Sequence, residues 1–143
     1  AGDGGSMKPL DSILPHLDIY IPSLAEAKHQ TGLDDPEKMI DAYRHAGSNG
    51  ILGIKLGEQG VLLSENAGKY LHLRVCDLPA GEKVIDTTGA GDTFLAGFIA
   101  GSRKGMDLQQ AGRLGTAVAA CCVTAMGGST GIKTFEETMT MIS

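Results

Sequence analysis

The chain contains 143 residues, of which 42% are hydrophobic and 20% are charged, and this is enough for one domain with its own core. That apolar fraction excludes a disordered chain, and no apolar run approaches the roughly 18 residues of a membrane span. The formal net charge of −5 offers no basic surface for nucleic acid or anionic lipid, so neither is expected as a partner.

The start of the chain and its cysteines bear on the cellular compartment. Residues 1–9 are rich in glycine, lack the basic and apolar blocks of a secretion signal, and are predicted to form a leader or loop. The three cysteines, two of them adjacent at Cys121 and Cys122, form neither a disulfide framework nor a Cys-x-x-Cys pair. We interpret them as small core side chains of a cytoplasmic protein.

In the first half of the chain, one strand, two helices and then three further strands are predicted. Residues 17–21 are typical of a buried strand, and a helix is predicted to begin at Ser23 and to end at Thr31-Gly32. A second helix begins at Asp35-Pro36, with an N-cap acid and a proline in the first turn. Three strand candidates follow over residues 51–56, 61–64 and 70–75.

Helices dominate the predictions for the second half. A short strand at residues 84–86 leads through a turn into a helix with four apolar positions, Phe94, Leu95, Phe98 and Ile99. A longer helix is predicted over residues 107–126, and its apolar stripe is assigned to the core. A loop over residues 127–131 precedes a last helix that begins at Thr134 with a Ser/Thr-x-x-Glu capping box. This order of elements predicts an α/β fold.

The segment Asp86–Asp92, DTTGAGD, is the most informative motif. Its glycines stand where a turn enters a helix, and such a place presents free N–H groups and the positive end of the helix dipole to an anion. A carboxylate at Asp92 would repel a bound phosphate, unless it takes a proton from a hydroxyl that attacks the phosphorus. The structural alternative is that Asp92 complements the helix dipole and the glycines only form the turn.

Two other phosphate-binding motifs are excluded by inspection. A dinucleotide fingerprint needs a glycine three residues after Gly91, where Phe94 stands. A Walker loop needs adjacent Gly and Lys, but Ile132 separates Gly131 from Lys133. The four histidines are scattered along the chain, and we interpret them as surface or helix residues rather than metal ligands.

The segment DTTGAGD followed by TFLAGF resembles the C-terminal signature of the ribokinase/PfkB family of carbohydrate and nucleoside kinases. The block Lys55–Val61, KLGEQGV, is similar to the family's strand and Gly-x-x-Gly turn over ATP, and Pro22–Ala27, PSLAEA, to its Asn-x-x-Glu block. The resemblance covers residues 10–142. It implies a ribokinase-like three-layer α/β sandwich, of which residues 10–143 would form the C-terminal part of the kinase domain.

The resemblance also implies roles for individual residues. Asp92 matches the catalytic base, and Gly89, Ala90 and Gly91 match the anion hole for the γ-phosphoryl group. Glu26 matches the acid that organises Mg²⁺ through water. The positions that match nucleotide-binding residues are Ser23, Lys55, Leu56, Gly57, Glu58, Gln59, Gly60 and Thr116. The positions that match a monovalent cation site for K⁺ are Asp86, Thr88, Cys122, Ala125, Gly127 and Gly131.

Structural interpretations of these blocks stay open beside the functional ones. The family's Asn is Ser23 here, which shortens the reach toward a phosphate, and Ser23 with Glu26 also forms a capping box. A plain hairpin connection is the structural alternative for the turn at residues 57–60. Members of the family are about twice as long, so the chain resembles their nucleotide half. We therefore expect a homo-oligomer or a separate N-terminal half to complete it, and little sugar phosphorylation by these 143 residues alone.

The predicted function is ATP-dependent phosphoryl transfer to a hydroxyl of a small carbohydrate, with Asp92 as general base. ATP and Mg²⁺ are the expected cosubstrate and metal, with K⁺ as an optional activator. The alternatives are a nucleotide-binding fragment without turnover, and a kinase for a nucleoside or a vitamin precursor on the same fold.

Overall fold

The computed structural model describes residues 7–143, and the chain folds as two units, one ending at His72 and one running from Leu73 to Ser143. Of the leader or loop predicted over residues 1–9, residues 1–6 lie outside the described residues, whereas Lys8 and Pro9 already belong to the first short helix. The helices are α1 (Lys8–Asp11), α2 (Leu24–Thr31), α3 (Pro36–His45), α4 (Ala90–Arg103), α5 (Leu108–Cys122) and α6 (Phe135–Met139). The strands are β1 (Ile19–Tyr20), β2 (Ile51–Lys55), β3 (Val61–Ser64) and β4 (Leu71–Leu73).

A mixed sheet with the strand order β1-β2-β3-β4 organises the first unit. Strand β1 runs parallel to β2, with Ile19 opposite Ile51, and β2 runs antiparallel to β3, with Lys55 opposite Val61. Strands are shorter than predicted at both ends of the sheet, because β1 and β4 pair over only two and three residues. From β1 to β4, the predicted order of one strand, two helices and three further strands is otherwise confirmed.

Local capping signals set the bounds of α2 and α3. The hydroxyl of Ser23 accepts the amide of Glu26, and Gly32 ends α2 in the left-handed conformation with φ 69°. The Asp35 carboxylate accepts the amide of Glu37 at the start of α3. The amphipathic spacing of α3 then places Met39, Ile40 and Tyr43 in the core, as predicted. The buried cluster of this unit consists of Leu14, Ala27, Met39, Ile40, Tyr43, Leu52, Ile54 and Leu62.

A guanidinium group connects α3 to the sheet. Arg44 donates to the carbonyl oxygen of Gly50 at 2.6 Å and to that of Ser64 at 2.9 Å. These two carbonyls lie next to the start of β2 and at the end of β3, where the sheet ladder leaves them available. Because Arg44 is a charged donor, these hydrogen bonds are stronger than neutral ones. They hold α3 beside the start of β2 and the end of β3.

Helices α4 and α5 form the core of the second unit by direct backbone approach. A Cβ atom at Gly97 would lie 2.8 Å from Val118 Cγ2 and 3.0 Å from Gly115 Cα, and one at Gly115 would lie 2.8 Å from Phe94. Larger side chains at these two positions would push the helices apart. Phe98, Ala111 and Leu114 are buried beside this contact.

Two predictions for the second unit are wrong in detail. Residues 84–86 form no strand, because the amides of Ile85 and Asp86 both donate to the single carbonyl of Val123, and the Ile85 side chain stays 52% exposed. Helix α5 ends at Cys122, so Met126 lies beyond it and is 73% exposed. On α4, Ile99 is 39% exposed. The buried face of α4 runs through Thr93, Phe94, Gly97, Phe98 and Gly101.

The remaining predictions for this unit are confirmed. Asp107 caps α5, and Thr134 with Glu137 forms the capping box of α6. Cys121 and Cys122 are fully buried free thiols, as their interpretation as core residues requires. Among residues 7–143, no helix combines the length and the apolar character needed to cross a membrane.

Candidate active site

The DTTGAGD segment forms a tight turn that enters α4. Gly89 is the N-cap residue and has φ 77°, a conformation that glycine adopts without steric cost. Its carbonyl accepts the amide of Thr93 at 2.9 Å, and the amide of Ala90 donates to the Thr87 carbonyl at 3.2 Å. The amide of Gly91 belongs to the first helical turn, where N–H groups have no intrahelical acceptor. The segment therefore combines a helix N-terminus with a left-handed cap.

The space around Gly89 also demands a glycine. A Cβ atom at this position would lie 2.9 Å from Gly128 Cα and 3.1 Å from the Gly128 carbonyl oxygen. The turn before α4 and the 127–131 loop thus touch backbone to backbone, in agreement with the loop predicted there. Any side chain at Gly89 would force the two segments apart.

The Asp86 carboxylate joins the same two segments. Its Oδ1 atom accepts the amide of Thr88, and its Oδ2 atom accepts the amide of Gly127, both at 2.9 Å. Hydrogen bonding from Thr88, followed by that from Gly127, lowers the pKa of Asp86 below its ordinary value of 3.8. At pH values above 3.8, these hydrogen bonds stabilise the folded state. Their contribution to stability is lost as the pH falls through the lowered pKa of Asp86.

Asp92 lies in the first turn of α4 and its side chain is exposed. An acid at this position is stabilised by the positive end of the helix dipole. The carboxylate is therefore both held in place by a helix and accessible to a second molecule. This arrangement is compatible with the predicted base and equally with the structural alternative.

The residues that match a monovalent cation site fall into one cluster of the second unit. Asp86, Thr88 and Gly127 are joined by the hydrogen bonds described above, and the Cys122 thiol lies 3.5 Å from the Thr88 carbonyl oxygen. A Cβ atom at Gly131 would lie 2.3 Å from the Cys121 carbonyl oxygen and 3.3 Å from Ala125 Cβ. Oxygen atoms, the ligands that hard cations prefer, are supplied here by one carboxylate and by backbone carbonyls.

Thr116, matched to the adenine pocket, is 6% exposed in the middle of α5. Its hydroxyl donates to the Arg113 carbonyl at 2.8 Å, one turn earlier in the helix. The hydroxyl is thus engaged within its own helix, and the Thr116 methyl group is the part left for packing.

In the first unit, the N-terminus of α2 meets the end of β2. Ser23 pairs with Lys55 in a parallel bridge, and the Lys55 amide donates to the Pro22 carbonyl at 2.9 Å. Strands β1 and β2 are parallel, so the segments that leave their carboxyl ends lie side by side. In open α/β sheets, ligands bind at such edges. The structure therefore brings together three of the predicted residues, Ser23, Glu26 and Lys55.

Glu26 completes the capping box of α2. Its Oε2 atom accepts the amide of Ser23 at 2.8 Å, and the Ser23 hydroxyl accepts the amide of Glu26 at 3.2 Å. Hydrogen bonds from Ser23, with a smaller effect from the Lys55 charge, lower the pKa of Glu26 below its ordinary value of 4.5. The carboxylate is therefore ionised near neutral pH, and its contribution to the cap is lost only as the pH falls through that lowered pKa.

The turn at residues 57–60 connects β2 to β3 as a hairpin, which is the structural interpretation of this motif. Gly57–Gln59 forms one 3-10 turn, and the amide of Leu56 donates to the Gly60 carbonyl at 2.8 Å. The ring of His72 lies 2.7 Å from the Gln59 carbonyl, so Nε2 carries the proton of that hydrogen bond. This role of His72 was not predicted, because nothing in the sequence pairs His72 with a residue 13 positions earlier.

The described part of the chain holds no cluster of candidate metal ligands. Among residues 7–143, no group of three or more His, Cys, Asp or Glu side chains could hold a metal ion. His16, His29, His45 and His72 are all exposed, in agreement with their interpretation as surface or helix residues.

Comparison with known families identifies the arrangement. The model of the pfkB family carbohydrate kinases matches residues 2–134 of the chain. The chain belongs to the pfkB family. The resemblance based on DTTGAGD and its two companion blocks is thereby confirmed.

Relatives within the pfkB family agree in sequence and in structure. An uncharacterized sugar kinase of Archaeoglobus fulgidus is 33% identical over 123 residues, which are 86% of this chain and 46% of the relative. Arabidopsis thaliana ribokinase, solved with ribose and ATP, matches 93% of this chain at 25% identity, with a TM-score of 0.83. The nucleoside kinase of Methanocaldococcus jannaschii matches 96% at 28% identity, with a TM-score of 0.81.

These pfkB relatives confirm the ribokinase-like α/β fold predicted from the sequence. The match covers 43% of each of the two solved structures. The chain thus spans less than half the length of the relatives it matches, which agrees with the prediction that it corresponds to one portion of a kinase domain.

Proposed function

We propose that the protein transfers the γ-phosphoryl group of ATP to a hydroxyl of a small carbohydrate. The observation that carries this proposal is the entry of α4, where a left-handed Gly89 cap and the first-turn amide of Gly91 accompany the exposed carboxylate of Asp92. Amides at a helix N-terminus favour an anion, and a nearby base favours an attacking hydroxyl. Membership of a carbohydrate kinase family supports phosphoryl transfer over a purely structural turn.

In the proposed reaction, each residue acts on one step. Asp92 accepts the proton of the acceptor hydroxyl, whose oxygen then forms the new bond to the γ-phosphorus while the bond to the leaving oxygen of ADP breaks. The amides of Gly89 and Gly91 donate to the phosphoryl oxygens as charge develops on them. The Ala90 amide, which spans 3.2 Å to the Thr87 carbonyl, joins them by releasing this long hydrogen bond.

In the first unit, the proposed nucleotide contacts are the cap of α2 and the β2–β3 turn, residues 55–60. Glu26 fits Mg²⁺, because its carboxylate is ionised, exposed and held at Oε2, which leaves Oε1 available to a metal-bound water. When bound, Mg²⁺ neutralises phosphate charge. The capping box holds the Glu26 side chain in one orientation, so the structural and the functional interpretation of Ser23 and Glu26 are compatible.

Replacing Glu26 with Gln is expected to raise the Mg²⁺ concentration for half-maximal rate by about 10-fold to 100-fold, the usual effect of losing an outer-shell carboxylate. Glutamine also completes a capping box, so α2 keeps its stability. The measurement is a Mg²⁺ titration of the rate at saturating ATP. Glu137→Gln is the matched control, because Glu137 forms the same box with Thr134 and has no assigned chemistry. Identical Mg²⁺ dependence in the two variants would contradict the role of Glu26.

Potassium is expected to raise the rate. Asp86, the Thr88 carbonyl and the 127–131 loop supply oxygen atoms beside the Gly89 turn, and a cation held there would fix the turn in its phosphate-accepting shape. The measurement is a rate titration with K⁺ against tetramethylammonium at constant ionic strength. Equal rates with both cations would reject this cation site.

The experiment that tests the function itself is a coupled assay of the full gene product with ATP, Mg²⁺ and a panel of sugars and nucleosides. We expect ADP formation that depends on one or a few sugars. Turnover with nucleosides alone would favour the nucleoside alternative, in line with the similarity to a nucleoside kinase. ATP binding without any phosphorylated product would favour a nucleotide-binding protein without turnover.

A further inference from the structure

Cys122 is the last residue of α5 and is fully buried. Its Sγ atom lies 3.5 Å from the carbonyl oxygen of Thr88 and 3.3 Å from that of Gly128. These carbonyls belong to the two segments that meet at the contact between Gly89 and Gly128. The thiol is therefore positioned to share its proton between both segments.

The adjacent cysteine has different surroundings. Cys121 is also fully buried, but its Sγ atom lies 3.4 Å from Met141 Sδ, near the C-terminus of the chain. The two neighbouring side chains are thus equal in size and burial, but only that of Cys122 faces the turn before α4. Because side-chain size and burial are the same at both positions, they cannot explain a different effect of substituting Cys122.

The backbone around the Gly89 turn explains what a donor contributes there. Two carbonyl oxygens lie within hydrogen-bond distance of the same sulfur, and the thiol proton can pair with the partial negative charge that both carry. Thr88 and Gly128 are themselves exposed, whereas the thiol is buried. The Asp86 carboxylate joins the same two segments through their amides. The Asp86 carboxylate thus accepts hydrogen bonds from amides of the two segments, and the Cys122 thiol donates to their carbonyls.

We propose that Cys122 is a positioning residue for phosphoryl transfer, whose thiol holds the Gly89 turn against the 127–131 loop. It does not touch the reactants, and it acts through the orientation of the Gly89 and Gly91 amides. Its effect on turnover rests on the proposed function, whereas its effect on the turn does not. Loss of the thiol should therefore loosen the turn whether or not the protein is a kinase.

The test compares Cys122→Ala, Cys122→Ser and Cys121→Ala in the full gene product. Hydrogen–deuterium exchange is measured for the amides of Thr88, Ala90 and Gly127, which are hydrogen-bonded in these segments. Cys122→Ala should speed their exchange by about 3-fold to 10-fold, as expected for a lost neutral hydrogen bond. Cys122→Ser keeps a donor and should restore slow exchange, and Cys121→Ala should leave it unchanged.

Kinetics of the same variants supply the second measurement. Cys122→Ala should lower kcat by about 3-fold to 10-fold and should change KM for ATP by less than about 2-fold, because the turn is required in the transition state rather than for nucleotide binding. Equal exchange and equal kcat in Cys122→Ala and Cys121→Ala would overturn the proposal. If the parent protein shows no turnover, the proposed function fails, and the exchange comparison alone decides the role of Cys122.

Discussion

Replacing Asp92 with Asn is expected to lower kcat by about 10²-fold to 10⁴-fold, the contribution that a general base usually makes. The amide cannot accept the proton of the acceptor hydroxyl, but it has almost the same size and stays in the exposed first turn of α4. ATP affinity should stay the same or increase, because a negative charge near the phosphates is removed. Steady-state kinetics and an equilibrium ATP-binding assay on the full gene product measure both effects.

Asp107→Asn is the matched control for this substitution. Asp107 caps α5 in the same unit, and asparagine is an equally good N-cap residue, so the change in charge and size is the same at a second helix N-terminus. Its kcat should equal that of the parent protein. An Asp92→Asn variant that keeps more than half of the parental turnover would remove Asp92 from the role of base.

Replacing Gly89 with Ala is expected to lower kcat by about 10²-fold, the effect of a misplacement near 1 Å at a reacting centre. The new methyl group would lie 2.9 Å from Gly128 Cα, and alanine would have to adopt φ 77°. The left-handed conformation costs about 1–2 kcal/mol, and the overpacking adds about 1–3 kcal/mol. Kinetics and chemical denaturation should therefore both register the substitution.

Gly105→Ala separates the two costs. Gly105 has φ 83°, and a Cβ atom there meets nothing within 4 Å. This control carries the conformational penalty of about 1–2 kcal/mol without the clash, and it lies outside the proposed site. If both variants lose the same stability and keep the same kcat, then the contact between Gly89 and Gly128 has no part in the reaction.

Signals carried by neighbouring residues predicted much of the fold. The caps at Ser23, Asp107 and Thr134 depend on an oxygen and an amide three positions apart, and all three are confirmed. The prediction of a strand at residues 84–86 is wrong, because a strand needs a partner elsewhere in the chain and neighbouring residues do not indicate one. The β-branched residues Val84 and Ile85 indicate only the preference for a strand, and both side chains are more than half exposed.

The candidate site divides in the same way. The turn and helix of DTTGAGD follow from seven consecutive residues, and the structure has both. The contact of Cys122 with Thr88 spans 34 positions, and that of Arg44 with Ser64 spans 20. Neither pair follows a spacing rule, so residue spacing predicts neither contact. The family resemblance groups Cys122 with Thr88 but assigns nothing to the thiol. The different contacts of the Cys121 and Cys122 sulfur atoms emerge only from the three-dimensional arrangement.

The glycine contact between α4 and α5 has a consequence for how an acceptor hydroxyl is selected. Gly97 and Gly115 bring the two helix backbones together within the width of a methyl group, so α4 cannot slide or rotate on α5 without a clash. The helix that carries Asp92 is therefore held rigidly. The free-energy cost of orienting the Asp92 side chain arises on folding rather than in each turnover. Because the proposed base does not move, the groups that position the acceptor hydroxyl determine which acceptors react.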